Sequence, residues 1–369
     1  MRLLVLTSHA DSLNSIRPEA EIFIGLQELG VDVTVMTQVD GIYNEQLRSA
    51  GVRLVDFVPS KKFDRHAVRY VRDYVLAHNI DCVYAFNNPA IITCNRALRG
   101  LKRVGLVTYR GQTGNLSRWD PTCYLTHLNP RVDLILGVSN AVRDSIKAVH
   151  PSPAKAETVY KGHDLAWYND EPLDLTTLGI PADAFVVGCV ANNRPRKGVS
   201  VLVDSTNYLP ASANIHFLLV GGGMDAPELQ KSIAASSFAD RFHVLGYRTD
   251  SLSIIAACNV SVLPAVKREG LPKTVIEAMV HETTPIVTTA GGSPELVDDG
   301  VTGFVVPVNN AQAIAAKIEW LYNHTETCKE MGQRARQRIH EHFNVKDSAR
   351  RTKALMEALL FAKRSGEQG

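Results

Sequence analysis

The chain has 369 residues, of which 45% are hydrophobic and 21% are charged, as in soluble globular proteins. Its length exceeds what one hydrophobic core usually supports and predicts two domains. The net charge of +2 is too small to indicate a nucleic-acid partner, and no apolar run approaches the roughly 18–20 residues of a membrane span.

The N-terminal stretch turns polar after six residues, so no secretory signal is predicted. The six cysteines form no CxxC pair, and most stand in apolar surroundings, where a free thiol behaves as a small hydrophobic side chain. We therefore expect a cytoplasmic protein in a reducing compartment, with contact at the inner face of the membrane as an open alternative.

The first half of the chain alternates strands and helices. An apolar run at 3–7 predicts a strand, helical apolar spacing ends at Gly30, and 31–37 predicts the next strand, which together form a βαβ unit. The same reasoning predicts a helix at 61–79 and strands at 81–86, 103–109 and 132–139.

The periodicity breaks between residues 159 and 184 and then restarts. Strands are predicted at 185–191, 215–220, 241–247, 259–265, 284–289 and 303–307, and helices at 200–209, 274–280, 310–324 and 348–363. The pattern favours an α/β fold of two Rossmann-like, doubly wound domains. Ligands of such sheets bind beyond the carboxyl ends of the strands, so we expect the two domains to face a central cleft.

The most informative stretch is "REGLPKTVIEAMV", which begins at Arg268 and follows a predicted strand. The Gly and Pro of this stretch shape a turn into a helix that starts near Lys273. Unpaired N–H groups and the positive end of the helix dipole favour a phosphate there. Glu269 precedes the turn and could accept hydrogen bonds from a sugar, and Glu277 could hold the diol of a ribose. A solvated helix carboxylate is the simpler reading of Glu277.

Two further loops fall at the same sheet edge. "VANNRPRKGVS" places Arg194, Arg196 and Lys197 after the first strand of the second half, where they could neutralise a diphosphate or simply be solvated. "LLVGGGMDAPEL" provides a Gly turn but fails the GxGxxG dinucleotide pattern, because its sixth position is Ala226.

Five motifs in this order resemble the retaining glycosyltransferases of family 4, the group 1 glycosyltransferases with the GT-B fold. The motifs are a Lys-Gly pair, a Gly-rich turn, an E-x7-E pair with G-L-P after its first acid, a G-G-x-x-E run and a D-G-x-x-G turn. In this chain they begin at Lys197, Gly221, Glu269, Gly291 and Asp299. The resemblance covers roughly residues 155–310, and the first half resembles the family in architecture only.

The resemblance implies roles for individual residues. Glu269, Lys197 and Arg194 would be catalytic, with Arg194 standing in for a family arginine whose usual position is occupied here by Asn192. The donor would be bound by Gly270, Leu271, Pro272, Lys273, Thr274, Glu277, Gly221, Gly222, Tyr247 and Arg248.

The implied reaction moves a sugar with retention from a nucleotide-diphosphate sugar, such as a UDP-, GDP- or ADP-sugar, to a glycan or lipid-linked acceptor of a cell-surface polysaccharide or lipopolysaccharide. Neither a cofactor nor a metal is expected, since Asp298 and Asp299 read as turn residues. The alternatives are a nucleotide-sugar-binding protein without turnover and a GT-B epimerase.

The expected domains are an acceptor-binding domain at 1–165, a nucleotide-sugar domain at 166–345, and a C-terminal helix at 346–369 that returns to the first domain. The first loop lacks the Gly-Gly pair of many relatives, so Ser12, Asn14 or Ser15 could bind the acceptor or a phosphate. Arg110 stands near the position of a family histidine and could hold an anion, because an arginine stays protonated and cannot act as a base. A structural role for Arg110 is equally open.

A basic helix face is predicted in the first half, formed by Lys62, Arg65, Arg69 and Arg72, and "RALRGLKR" adds further cations from Arg96 onward. Either this face is merely solvated, or it contacts an anionic membrane that carries a lipid-linked acceptor.

Overall fold

The computed structural model describes residues 1–8, 13–59 and 61–365. The chain divides into two compact units. The first combines Met1–His163 with the segment that begins at Phe343, and the second is Asp164–His342. Each unit has its own parallel sheet with associated helices, which confirms the predicted pair of doubly wound domains.

The first unit contains a seven-stranded sheet in the part of the chain that is described, in the order β3-β2-β1-β4-β5-β6-β7. The chain builds outward from β1 in one direction and from β4 in the other, so the switch point of the sheet lies between these two strands. The strands are β1 (Arg2–Leu6), β2 (Asp32–Thr37), β3 (Arg53–Asp56), β4 (Cys82–Ala85), β5 (Gly105–Arg110), β6 (Leu134–Gly137) and β7 (Ala156–Thr158).

The helices of the first unit begin at recognisable caps. Asp64, Asn87 and Ser139 accept hydrogen bonds from backbone N–H groups in the first turns of α3, α4 and α5, respectively, as N-cap residues do. The helices, numbered in chain order through the whole protein, are α1 (Leu13–Glu28), α2 (Asn44–Ser49), α3 (Arg65–Ala77), α4 (Asn88–Ala97), α5 (Asn140–Lys147) and α13 (Val345–Ser365).

The C-terminal helix α13 packs on the first unit, as the resemblance implied. Gly25 of α1 allows a close approach, because an added Cβ there would lie 2.7 Å from Cβ of Ala349. Lys353 extends the contact by donating from Nζ to the carbonyl of Leu29 at 2.8 Å. Met356 is fully buried and Leu360 nearly so, which shows that the helix covers part of this unit's core.

The second unit has a six-stranded sheet in the order β10-β9-β8-β11-β12-β13 within the described chain, with its switch point between β8 and β11. The strands are β8 (Phe185–Val190), β9 (Ile215–Val220), β10 (Phe242–Gly246), β11 (Val260–Leu263), β12 (Thr284–Thr288) and β13 (Phe304–Val306). The helices are α6 (Val199–Ser205), α7 (Pro227–Ala234), α8 (Ser251–Ala256), α9 (Lys273–Val280), α10 (Ser293–Leu296), α11 (Ala311–Asn323) and α12 (Thr325–His342).

All six cysteines are buried free thiols, in agreement with the expectation that they pack as small hydrophobic side chains. None of the described helices combines the length and the apolar character needed to cross a bilayer.

Candidate active site

The carboxyl edge of the second sheet carries Glu269, which follows β11 and is only 4% exposed. Its Oε1 atom lies 2.9 Å from Nζ of Lys197 and 3.2 Å from Nη1 of Arg196. Because a buried carboxylate is stable only when it is paired, these two cations hold the acid at a defined place at the sheet edge.

The loop that carries the two cations is a 3-10 turn, Pro195–Lys197, after β8. Gly198 ends this turn with φ of +68°, and a Cβ at that position would overlap the carbonyl oxygen of Pro264. The carbonyl of Arg196 also accepts a hydrogen bond from Val266 N at 2.9 Å. The Lys-Gly motif therefore packs this loop against the chain that leaves β11, which brings Lys197 to Glu269.

The structure distinguishes the arginines of this loop. Arg194 is exposed, whereas Arg196 is half-buried and is the arginine that pairs with Glu269. The sequence placed both residues on the loop but could not determine which side chain turns inward, because a single 3-10 turn has no repeating pattern. Asn192, at the usual family arginine position, accepts a hydrogen bond from Gly222 N at 2.9 Å and so braces the neighbouring Gly-rich turn.

Helix α9 begins at Lys273 as predicted, with Pro272 at the N-cap position. Its first backbone N–H groups have no carbonyl within the helix to bond, as at every helix N-terminus. Leu271, Lys273 and Thr274 are partly exposed, so this helix end is accessible, whereas Gly270 is buried beside Glu269. The open start of α9 therefore lies a few residues after Glu269, the acid that the two cations contact.

Glu277 lies one helical turn beyond Lys273 and is 5% exposed, which contradicts the simple reading of a solvated carboxylate. Lys273 Nζ lies 3.1 Å from its Oε1 atom. Burial raises the pKa of Glu277 above its ordinary value, and the charge of Lys273 partly opposes this shift. A buried carboxylate near an open helix end is suited to accept hydrogen bonds from a vicinal diol.

The Gly-rich turn after β9 meets two neighbouring loops. Gly221 has φ of +143° and packs so closely on Ala191 that a Cβ would overlap the carbonyl oxygen of that residue. Its N–H donates to the carbonyl of Gly246, at the end of β10, at 2.7 Å. These contacts gather the ends of β8, β9 and β10 at one edge.

Tyr247 follows β10 and is 75% exposed, so its ring is free to stack on a planar group. Arg248 instead forms an ion pair with Asp250, with 2.6 Å between Nη2 and Oδ2. This pairing holds the Arg248 side chain back along its own loop.

The candidates in the first unit are only partly described. Ser12 lies outside the described residues, and although Asn14 and Ser15 belong to α1, their side chains are also outside the description. Arg110 ends β5 and lines a cavity of about 350 Å³, together with Phe86, Asn87, Asn88, Gln112 and His127.

Arg110 is half-buried, and this burial lowers the pKa of its guanidinium from the ordinary value. Its Nη2 atom donates to the carbonyl of Gly114, whereas Nε has no hydrogen-bond partner within the described chain. His127 is buried behind it, hydrogen-bonded to Thr108 at 3.0 Å, and burial lowers its pKa to about 3. His127 is therefore neutral at physiological pH.

Within the described ranges, no group of three or more His, Cys, Asp or Glu side chains is arranged as a metal site.

Two family models match consecutive parts of the chain. The model for Glycosyltransferase Family 4 matches residues 20–167, and the model for Glycosyl transferases group 1 matches residues 171–338. The second match contains Lys197, Glu269 and Glu277.

Two relatives are similar to this chain over part of their length. The alpha-maltose-1-phosphate synthase of Mycolicibacterium smegmatis is 27% identical over 60% of this chain and 62% of its own. The capsular polysaccharide biosynthesis glycosyltransferase CapM of Staphylococcus aureus is 30% identical over 44% of this chain and 43% of its own. The matched region thus spans less than two thirds of the length of these relatives.

Two solved structures have a similar fold over nearly the whole chain. HepE of Anabaena, in complex with UDP, has a TM-score of 0.77 at 22% identity, covering 97% of this chain and 99% of that one. Sucrose-phosphate synthase of Thermosynechococcus elongatus has a TM-score of 0.76 at 19% identity, covering 98% and 100%.

Proposed function

We propose, from the premise that this chain belongs to the group 1 (family 4) glycosyltransferases and has their GT-B fold, that it transfers a sugar with retention from a nucleotide-diphosphate sugar to a glycan or lipid-linked acceptor. The observation that carries the proposal is the pair of cations, Arg196 and Lys197, on the buried Glu269 beside the open end of α9.

The diphosphate of the donor is the group that this arrangement fits best. Backbone N–H groups at the start of α9 and the side chains of Lys197 and Arg196 present positive charge from two neighbouring loops. Since the nucleoside diphosphate gains negative charge as the glycosidic bond breaks, preorganised cations lower the barrier to its departure. We propose that these protein cations suffice without a resident metal or cofactor.

The two acids then address opposite ends of the donor. Glu269 accepts hydrogen bonds from hydroxyls of the transferred sugar, and Glu277 accepts them from the ribose diol. The backbone near Gly246 meets the base, with the exposed Tyr247 ring available to stack on it. HepE, which has the same fold, was solved with UDP and with UDP-glucose, and this supports a nucleotide-sugar donor here.

We propose an acceptor in cell-surface polysaccharide or lipopolysaccharide synthesis. Relatives described as capsular polysaccharide and lipopolysaccharide core biosynthesis glycosyltransferases support this assignment. In the first unit, the cavity lined by Arg110 offers a cationic group at the end of β5, which suits a phosphate or carboxylate of the acceptor or donor.

Contact with an anionic membrane is part of the proposal. Lys62, Arg65 and Arg69 are exposed near the start of α3, and the 58% exposed ring of Phe63 lies among them. An aromatic ring surrounded by cations suits an interface with acidic lipids. Co-sedimentation with phosphatidylglycerol vesicles during a salt titration tests this part, and absence of binding at low salt would exclude it.

The decisive experiment measures thermal shifts with UDP-, GDP- and ADP-sugars and then the diphosphate released with candidate acceptors. We expect one nucleotide class to stabilise the protein and to be turned over, also in the presence of a chelator. Nuclear magnetic resonance of the product reports whether the anomeric configuration is retained. Binding without turnover on any acceptor would instead identify a nucleotide-sugar-binding protein.

A further inference from the structure

A second cationic site lies at the amino edge of the first sheet, away from Arg110 at the carboxyl edge. This basic cavity has a volume of about 1110 Å³. Lys102 and Asp133 of its lining stand just before β5 and β6, which places it where those strands begin. The charged residues that line it are Arg96, Arg99, Lys102, Arg131, Asp133 and Lys363, a net charge of +4.

Several carbonyl oxygens around the cavity already accept hydrogen bonds. Arg131 donates to the carbonyls of Leu98, Leu101 and Val104 at 2.7 to 3.1 Å. Arg72 donates from Nη1 to the carbonyls of Ala97 and Arg99 at 2.8 and 2.9 Å. The turn after α4 therefore presents few free acceptors that would repel an anion.

The one carboxylate of the lining is also saturated. Asp133 accepts from Leu106 N at 2.8 Å and from Arg131 Nη1 at 2.7 Å through Oδ2, and Lys363 Nζ lies 2.9 Å from its Oδ1. Asp133 thus pairs with both structural cations, Arg131 and Lys363, and no carboxylate of the lining is left to pair with the other cations.

Arg96, Arg99 and Lys102 are exposed at the mouth of the cavity, and none of them forms an ion pair within the described residues. Arg96 is oriented by the ring of Phe63, with 4.5 Å from its guanidinium carbon to the ring centroid. Three uncompensated cations around one concave surface favour a ligand with more than one negative charge.

Asn95 adds a hydrogen-bonding requirement. It lines the cavity and is 7% exposed, and its Nδ2 donates to the carbonyls of Leu125 and Thr126 at 3.0 and 3.2 Å. These two acceptors determine the orientation of the amide, and the buried Oδ1 has no partner in the described chain. A buried acceptor without a donor is unfavourable, so a ligand whose O–H or N–H displaces the atoms that cover Oδ1 and donates to it would be stabilised there.

We propose that the basic cavity binds a phosphorylated polyol, with the phosphate held by Arg96, Arg99 and Lys102 and a hydroxyl donating to Asn95 Oδ1. The ligand is either a free sugar or glycerol phosphate, or the headgroup of a phospholipid such as phosphatidylglycerol. The site is independent of the proposed transferase reaction, because it shares no residue with the donor site.

Isothermal titration calorimetry of the full chain with inorganic phosphate and with glycerol 3-phosphate tests the proposal. The double variant Arg99→Ser/Lys102→Ser is expected to weaken glycerol 3-phosphate binding by about tenfold or more, because two charge-assisted contacts are lost. The matched control Arg48→Ser/Arg53→Ser removes the same charge from exposed positions of α2 and β3, at the far edge of the sheet, and is expected to leave binding within about twofold.

Lys197→Gln separates this site from the donor site. The proposal is supported if Lys197→Gln still binds glycerol 3-phosphate and Arg99→Ser/Lys102→Ser does not. It is overturned if Arg99→Ser/Lys102→Ser still binds glycerol 3-phosphate and Lys197→Gln does not. Equal binding by both double variants also overturns it. Glycerol 3-phosphate that binds no tighter than inorganic phosphate would refute the role of Asn95.

Phosphatidylglycerol vesicles distinguish the two sources of the ligand. If the vesicles displace glycerol 3-phosphate, the ligand of the site is a phospholipid headgroup, and if they do not, the ligand is a free phosphorylated polyol.

Discussion

Gly291 packs directly against the backbone of Glu269. A Cβ on Gly291 would overlap the backbone carbonyl oxygen of Glu269. The two residues belong to different loops, after β12 and β11, respectively. Gly291 also has φ of +56°, and Arg268, just before the acid, has φ of +62°. The G-G-x-x-E motif thus packs against the backbone of the candidate catalytic carboxylate and helps to position it.

Replacing Gly291 with Ala is therefore expected to displace Glu269 and to lower turnover. The left-handed backbone alone costs roughly 1–2 kcal/mol for an alanine, and the overlap adds to this cost. We expect kcat to fall by at least about tenfold, since small displacements of a catalytic group are costly. Steady-state kinetics and thermal unfolding measure the two effects.

Gly300→Ala is the matched control for this variant. Gly300 has φ of +76°, but no atom lies within 4 Å of an added Cβ. The Gly300→Ala variant should lose a similar free energy of unfolding through backbone strain, and its kcat should stay unchanged. If both variants lose stability and turnover equally, Gly291 does not act through Glu269.

The two arginines of the basic loop are expected to differ. Arg196→Gln removes a cation that contacts Glu269 at 3.2 Å, whereas Arg194→Gln removes an exposed one. We expect kcat/KM to fall about 100-fold for Arg196→Gln, as for loss of a transition-state donor, and by less than about threefold for Arg194→Gln. A larger effect of Arg194→Gln would restore the assignment made from sequence.

Glu277→Gln is expected to stabilise the free protein at neutral pH while weakening nucleotide binding. Because burial raises the folded-state pKa of Glu277, the folded protein holds its proton more tightly than the unfolded chain does. The contribution of Glu277 to the free energy of unfolding therefore falls as the pH rises from the pKa of the unfolded state, about 4.3, through the higher pKa of the folded state. At higher pH this contribution remains low.

The variant carries no charge to bury, so its melting temperature should exceed that of the wild type at pH 7, and the difference should vanish below about pH 4. Lost charge-assisted bonds to a ribose diol should weaken nucleotide affinity by roughly tenfold or more. Unfolding at several pH values and calorimetric titration with the nucleotide measure both effects. A destabilised variant at pH 7 would show that the pair with Lys273 outweighs burial.

The C-terminal helix is expected to be needed for stability. Met356 of α13 is fully buried, so Met356→Ala should cost about 2–5 kcal/mol, measured by denaturant unfolding. Phe361, on the same helix, is 74% exposed, and Phe361→Ala should remain within about 0.5 kcal/mol of the wild type. Truncation after Asn344 should lower activity and stability together. An unaffected truncated enzyme would contradict the role of this helix.

Some elements escaped prediction for identifiable reasons. Helix α4 is buried at positions 90–95, so its sequence lacks the polar face that marks an amphipathic helix. Helix α12 is rich in charged residues and buries only a narrow stripe that includes Gly332, whose missing side chain admits the carbonyl of Glu282. Helix α4 is thus defined by what packs on it. Helix α12 keeps a helical spacing of buried residues, but the small side chains of Gly332 and Ala335 make its apolar signal weak.

The sequence by itself determined the two doubly wound halves, the start of α9 and the place of Glu269 and Glu277 on the chain, because strand–helix alternation, Gly-Pro turns and motif order are local properties. Only the tertiary structure decided that Arg196 turns toward Glu269, that Glu277 is buried, and that Asn95 and its neighbouring cations line one cavity. Each of these facts depends on contacts between segments far apart in the chain, where packing and desolvation select one side-chain arrangement.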